Sequence, residues 1–270
     1  MEYHDLYLAR IISQEKNFYQ AVCVNGVLFA EVSGKLRFEA TIQSDFPTVG
    51  DFVMLDRCNN KNGNAIIHHV LHRKSLFVRK ASGKVNEEQV VAANIDIVFL
   101  CMPLNKDFNI HRLERYLSLT WESGAIPVVV LTKSDLCDNV HRKLQVVNSI
   151  ALGVDVVVTS SIEPDGYKQI SKYIKPGCTV ALLGSSGVGK SSLINCLLGG
   201  EFLNTKEIRI DDDKGRHATT RRELFLISGG GIVIDTPGMR ELGMWDVSEG
   251  LDKSFACLLY TSPSPRDGAT

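Results

Sequence analysis

Two patterns follow one another along this chain, and together they predict a small all-β barrel joined to a doubly wound α/β domain. Three observations carry the prediction. Residues from about 5 to 72 form short runs broken by turn chemistry, and from about residue 90 continuous Val/Ile/Leu runs alternate with helical patterns. Between the last clear run of that kind and a helix lies a glycine-rich turn, GSSGVGKS, from Gly184 to Ser191.

The first part reads LYLARIIS, FYQAVCV, Asn25-Gly26, VLFAEVS, Gly34, VGDFVML, Asn62-Gly63 and NAIIHHVL. Asn-Gly between apolar runs is a strong short-range hairpin signal. About five strands with little helical pattern predict an OB-type barrel over residues 1–75. Such barrels present a face and loops to oligonucleotides. A β domain that only packs against its neighbour is the plainer alternative.

The second part, residues 76–250, reads IDIVFLCM, a helix near 109–123, IPVVVL, a helix near 138–152, VDVVVTS, a helix near 165–174, and TVALLG. Ile110, Leu113, Leu117 and Trp121 predict one apolar stripe on the first helix. Uninterrupted apolar strands suit a parallel sheet covered on both faces, whose ligands bind beyond the carboxyl ends of the strands. Residues 251–270, with CLLYTSPSPRDGAT and its repeated Ser-Pro, have no periodicity and read as the start of a further region followed by an unrelated tail.

With 270 residues, 44% of them apolar, the chain can bury one large core and a smaller one. A formal net charge of -1 excludes a global polyanion-binding surface, so any nucleic-acid contact must be a local patch. Two candidates are HRKSLFVRKASGK, residues 72–84, and KGRHATTRR, residues 214–222. The first mixes Arg73, Lys74, Arg79, Lys80 and Lys84 with Phe77, which suits phosphate contact and base stacking, or equally a solvated basic hinge. Seven scattered cysteines without a CxxC pair predict reduced thiols. The N-terminus, MEYHDLYLARIISQEK, has no secretory pattern, and no run approaches the roughly 20 apolar residues that cross a bilayer. A soluble, cytoplasmic protein without a membrane partner is expected.

The chemistry concentrates in four short segments. GSSGVGKS matches the phosphate-binding P-loop and has the required strand before it and helix after it. Gly184, Ser185, Ser186, Gly187, Val188 and Gly189 curl backbone N–H groups around phosphate, and Lys190 reaches the β- and γ-phosphates. Ser191, followed by Ser192, offers its hydroxyl to Mg²⁺. DTPG, beginning at Asp235, leaves the apolar strand GIVI about 45 residues later, so that Asp235 can hold the same Mg²⁺ and the N–H of Gly238 can approach the γ-phosphate.

TKSD, made of Thr132, Lys133, Ser134 and Asp135, follows the strand IPVVVL. Its carboxylate can accept two hydrogen bonds from guanine, which adenine cannot donate, while the lysine stem covers the ring. Ser160 and Ser161, in VVVTSS, could present a backbone N–H to guanine O6. The order TKSD, TSS, P-loop, switch segment, DTPG is a cyclic permutation of the usual GTPase order, which predicts a circularly permuted α/β P-loop GTPase domain behind the barrel, with GTP, GDP and Mg²⁺ as ligands.

A permuted GTPase behind a small barrel resembles the RsgA (YjeQ-type) family of small-ribosomal-subunit biogenesis GTPases. The stretches VVAANID, FNIHRLERYL, GSSGVGKSSLIN, GRHATTRRE and DTPGMRELG carry the likeness from about residue 5 to about 250. The resemblance implies GTP hydrolysis coupled to late maturation of the small (30S) ribosomal subunit, and a barrel that contacts ribosomal RNA in a monomeric protein. It implies that Thr219 or Thr220 is the switch threonine and that His217 takes a catalytic role beside Lys190. Met239, after DTPG, cannot orient water as a glutamine would, which is a physical motive for the histidine. A solvated or RNA-facing loop histidine is the plainer reading. The family also carries a C-terminal zinc domain, but only Cys257 and no His follows residue 250, so no zinc is expected in this chain. The same motifs fit two further readings, an RNA-binding nucleotide switch with negligible turnover and an inactive truncated fragment.

Overall fold

The computed structural model describes residues 5–15, 18–59, 61, 63–80, 88–160, 162–163, 166–200 and 223–235. Its first strands are β1 (Tyr7–Glu15), β2 (Phe18–Cys23), β3 (Gly26–Val32), β4 (Phe52–Leu55) and β5 (Ala65–Val70). They close in the order β1-β2-β3-β5-β4 and back to β1, with β3 and β5 parallel and the other pairs antiparallel. That is a five-stranded Greek-key barrel of OB type. Alternate residues point inward, and Ala9, Ile11, Tyr19, Ala21, Leu28, Ala30, Val53, Leu55 and Ile67 fill the interior.

A short helix, α1 (Gly34–Glu39), joins β3 to β4, its first turn capped by the Ser33 hydroxyl accepting from the Leu36 N–H. The sequence reading had no helix there. Six residues with no fully buried side chain leave no apolar period to detect.

Residues 72–93 depart from the linker reading. β6 (Leu76–Lys80) pairs antiparallel with β7 (Glu88–Ala93). Phe77 is 2% exposed inside the larger core, so it has no ring face to offer a base. Arg73 is likewise turned inward: it is bidentate to Asp51, which is fully buried, and also donates to the carbonyls of Ser44 and Phe46. Burial pushes the Asp51 carboxyl above its ordinary pKa, against the pull of Arg73.

The α/β part consists of β8 (Ile97–Pro103), α2 (Ile110–Ser123), β9 (Ile126–Thr132), α3 (Val140–Ile150), β10 (Asp155–Val158), α4 (Lys168–Ser171), β11 (Thr179–Leu183), α5 (Lys190–Leu198), β12 (Glu223–Leu226) and β13 (Ile232–Asp235). Their order across the sheet is β10-β9-β8-β11-β13-β12, parallel throughout except for β12. Val98, Leu100 and Met102 face α2 and α3, whereas Phe99 and Cys101 face α5, so the strands are apolar on both sides.

Asn109 and Asn139 cap α2 and α3 through their side chains. The buried stripe of α2 is Leu113, Tyr116, Leu117 and Thr120, and Trp121 is 40% exposed. The expected stripe holds at Leu113 and Leu117, with Ile110 packed against the core, whereas Trp121 turns outward and Tyr116 and Thr120 complete the seam at the i, i+3, i+4, i+7 spacing. α4 is a single turn rather than a helix near 165–174.

Barrel and α/β part share one sheet, since β1 pairs with β12 at Ser13 and Glu223. In the seam lies Arg10, 9% exposed. Its guanidinium donates to the Thr179 hydroxyl at 2.8 Å, to the Gly50 carbonyl at 3.2 Å and to the Asn94 carbonyl at 3.3 Å. The Asn94 amide closes the ring by donating to the same Gly50 carbonyl.

Replacing Arg10 by Ala should lower stability by about 2–4 kcal/mol, because a buried charged donor leaves several acceptors unmet. Arg10→Lys should fall between the variant and the parent, since one ammonium cannot reproduce the fork. Urea denaturation of the three proteins checks both values.

Candidate functional site

β11 is completely buried and ends in the loop of residues 184–189, from which α5 starts. Two glycines are needed for geometric reasons. A Cβ at Gly184 would lie 2.7 Å from the Cys101 carbonyl of β8, and Gly189 has φ +99°, which L side chains rarely adopt. The loop thus folds tightly against the neighbouring strand before turning into the helix.

Lys190, 7% exposed, folds back over this loop, and its Nζ donates to the carbonyls of Gly184 and Ser185, each at 2.6 Å. Those carbonyls satisfy a buried ammonium and fix its direction at the mouth of the loop. Beneath it, burial pushes the Cys101 thiol up to about 12, which keeps that sulfur protonated and unreactive at neutral pH.

Thr132 ends β9, and its hydroxyl donates to the Val188 carbonyl at 2.7 Å in a buried bond. One hydrogen bond therefore couples TKSD directly to the glycine-rich loop, a contact that spacing alone did not reveal. Lys133 follows in left-handed backbone, φ +57° and ψ +42°, so the chain turns sharply out of the strand. The next residues form a single 3-10 turn, Ser134–Leu136, in which the Ser134 N–H donates to the Thr159 carbonyl.

Asp135 is exposed, and its carboxylate accepts from the Ser160 hydroxyl at 2.6 Å. The sequence reading looked to a backbone N–H in the turn at Ser160 and Ser161. In the structure the Ser160 side chain holds Asp135, and Ser160 itself is buried.

Ser185, Ser186, Gly187 and Val188 also line a cavity of about 530 Å³ that reaches to Lys106, Asn109 and Arg112 at the start of α2. Ser191 and Ser192 stand half-buried in the first turn of α5, where unsatisfied N–H groups favour an anion. β13 runs parallel to β11 in the register Ala181 opposite Ile234, which brings the backbone of Asp235 to the carboxyl edge of the sheet beside the loop. The side chain of Asp235, together with Ser161, His217, Thr219, Thr220, Gly238 and residues 251–270, lies outside the described residues.

A parallel sheet with a glycine-rich loop at its centre, with TKSD upstream and Asp235 downstream, defines a circularly permuted P-loop GTPase. The family model described as RsgA GTPase matches residues 70–245. A protein of Lactiplantibacillus plantarum named small ribosomal subunit biogenesis GTPase RsgA 2 is 48% identical over 92% of this chain and 69% of its own length. One of Methanosarcina acetivorans named small ribosomal subunit biogenesis GTPase RsgA is 42% identical over 94% and 68%. The crystal structure of YjeQ from Thermotoga maritima superposes with a TM-score of 0.67 at 26% identity, covering 89% of this chain and 78% of that one. The chain belongs to the RsgA GTPase family.

Thr132→Val keeps the shape of the side chain but strips the donor from a buried carbonyl. It should lower stability by about 1–2 kcal/mol. Thermal or urea denaturation checks the value, and an unchanged midpoint would show that the Val188 carbonyl finds another partner.

Proposed function

We propose that this chain binds GTP and GDP with Mg²⁺ and hydrolyses GTP as an assembly factor of the small ribosomal subunit. The hydrogen bond from Thr132 to Val188 carries the reading, because it joins the segment suited to guanine and the segment suited to phosphate into one surface. The family's name and those of its relatives supply the activity and the ribosomal context.

In this reading Asp135 accepts two hydrogen bonds from guanine, and Ser160 holds its carboxylate in place. The Lys133 stem covers the base, and the N–H groups of residues 185–192 surround the phosphates. Lys190, already anchored by two carbonyls, places its charge at the β- and γ-phosphates before the nucleotide arrives, so little reorganisation accompanies the reaction.

The residues fit Mg²⁺, since serine and aspartate supply hard oxygen donors and the backbone of Asp235 reaches the sheet edge from which the Ser191 helix starts. The ion, when bound, neutralises charge on the phosphate oxygens. Gly238 meets the γ-phosphate, Thr219 or Thr220 closes the switch, and His217 positions the attacking water. On the barrel, Phe18 and Phe29 on β2 and β3 and Phe38 on α1 are 49%, 50% and 91% exposed, which suits stacking against ribosomal RNA. The protein acts as a soluble cytoplasmic monomer.

GTP turnover measured with and without small subunits tests the function, and the absence of turnover under both conditions would reject it. Asp135→Asn should weaken guanine nucleotides by tenfold or more, on the order expected when a charged acceptor pair is lost, and shift preference to xanthine nucleotides. Competition binding decides this. Lys190→Ala should reduce hydrolysis more than His217→Ala, because the lysine acts on charge in both ground and transition states. Single-turnover rates of the two variants, with GTP binding retained by the histidine variant, check the order.

A further inference from the structure

Arg112 lies on α2, about 70 residues upstream of the glycine-rich loop, and belongs to none of the nucleotide motifs. Its Nη1 donates to the Ser185 hydroxyl at 3.1 Å. Ser185 is also the residue whose carbonyl accepts from Lys190. Two cations from different parts of the chain are thus bound to opposite groups of one serine. Because the lysine of such a loop reaches the β- and γ-phosphates, the guanidinium stands at the same, terminal end of the phosphate chain.

Three further features set Arg112 apart from an ordinary surface arginine. It is held on a rigid element, since its own backbone N–H donates to the capping side chain of Asn109, and Leu113 beside it is fully buried. It lines the cavity of about 530 Å³ together with Lys106 and residues 185–188. Asp107 lines the same cavity, but among the described residues no carboxylate lies within ion-pair reach of Arg112. A guanidinium carries five N–H donors, and Ser185 takes one of them.

We propose that Arg112 is a positioning residue for the terminal phosphate: through Ser185 it holds the first turn of the P-loop, and its charge makes the site prefer the triphosphate to the diphosphate. The inference rests on the guanine-nucleotide reading above and deepens it. GTP carries one more phosphate's charge than GDP at that end, so a cation there attracts the triphosphate more than the diphosphate. Taking a separation of about 8–10 Å, an effective dielectric of about 20 and screening over a Debye length of about 10 Å at about 0.1 M salt, one unit charge alters affinity about three- to fivefold.

The test is equilibrium titration of the full chain with a fluorescent GDP and with a fluorescent non-hydrolysable GTP analogue, in Mg²⁺, at low and at high salt. Arg112→Ala should weaken both nucleotides, the GTP analogue about three- to fivefold more than GDP, and added salt should narrow the gap. Arg112→Lys should recover more than half of the lost selectivity. Ser185→Ala, which keeps the charge and removes the anchor, should fall between Ala and parent. Thermal melts matching the parent show that each variant is folded.

Equal losses for both nucleotides would make Arg112 a structural tie between α2 and the loop and overturn the proposal, as would unchanged affinity or a lysine variant that recovers nothing. A parental chain that binds neither nucleotide overturns the guanine-nucleotide reading itself, which separates the two failures.

Discussion

The Arg10 guanidinium holds the molecule's two halves in register. Taking an arginine out of water is costly, and burial pulls its pKa down while the nearby Asp96 and Asp51 carboxylates pull it back up. The charge is tolerated because three acceptors meet it, two carbonyls and the Thr179 hydroxyl, and because it stacks over the Phe52 ring, 4.8 Å from the centroid. Thr179 is the first residue of β11, whose far end becomes the glycine-rich loop. The barrel is therefore fixed to the same strand that positions Lys190.

From that strand the site is laid out by sheet order rather than by chain order. β8 and β13 flank β11, and β9 lies one strand further on. Segments far apart in sequence, at Thr132, Val188 and Asp235, end at one edge because parallel strands deliver their carboxyl ends together. A permuted chain reaches the same arrangement, since hydrogen-bonded neighbours in a sheet need not be neighbours along the backbone.

Much of this was legible in the sequence because it depends on local rules. Strand runs, Asn-Gly turns and the spacing of GSSGVGKS each report on a few adjacent residues. What stayed hidden depends on side chains meeting across long separations. Thr132 was flagged with its motif, yet its partner Val188 is 56 residues away, and no spacing rule links a hydroxyl to a carbonyl at that distance. Ser160 was read for its backbone, whereas its hydroxyl is what reaches Asp135. Phe77 looked like an exposed aromatic among cations because the pairing of β6 with β7, which turns it inward, is a tertiary fact. Arg112 lay within a quoted stretch and gave no signal, because nothing in its neighbours says that it faces a loop made much later in the chain.

The position of β12 and β13 has a consequence for how the chain is made. They come last among the described strands, yet they lie between β11 and β1. Translation runs from the N-terminus, so the barrel and the block of β8 to β11 emerge first, each with an unpaired strand edge facing the gap the hairpin will fill. At about 5–20 residues per second, the 52 residues from Leu183 to Asp235 take roughly 3–10 s to synthesise. For that interval the barrel and the β8–β11 block each keep open the strand edge that the hairpin will cover. Insertion of one short hairpin then closes both edges at once, so that among the described strands the pairings of β13 with β11 and of β12 with β1 are the last to form.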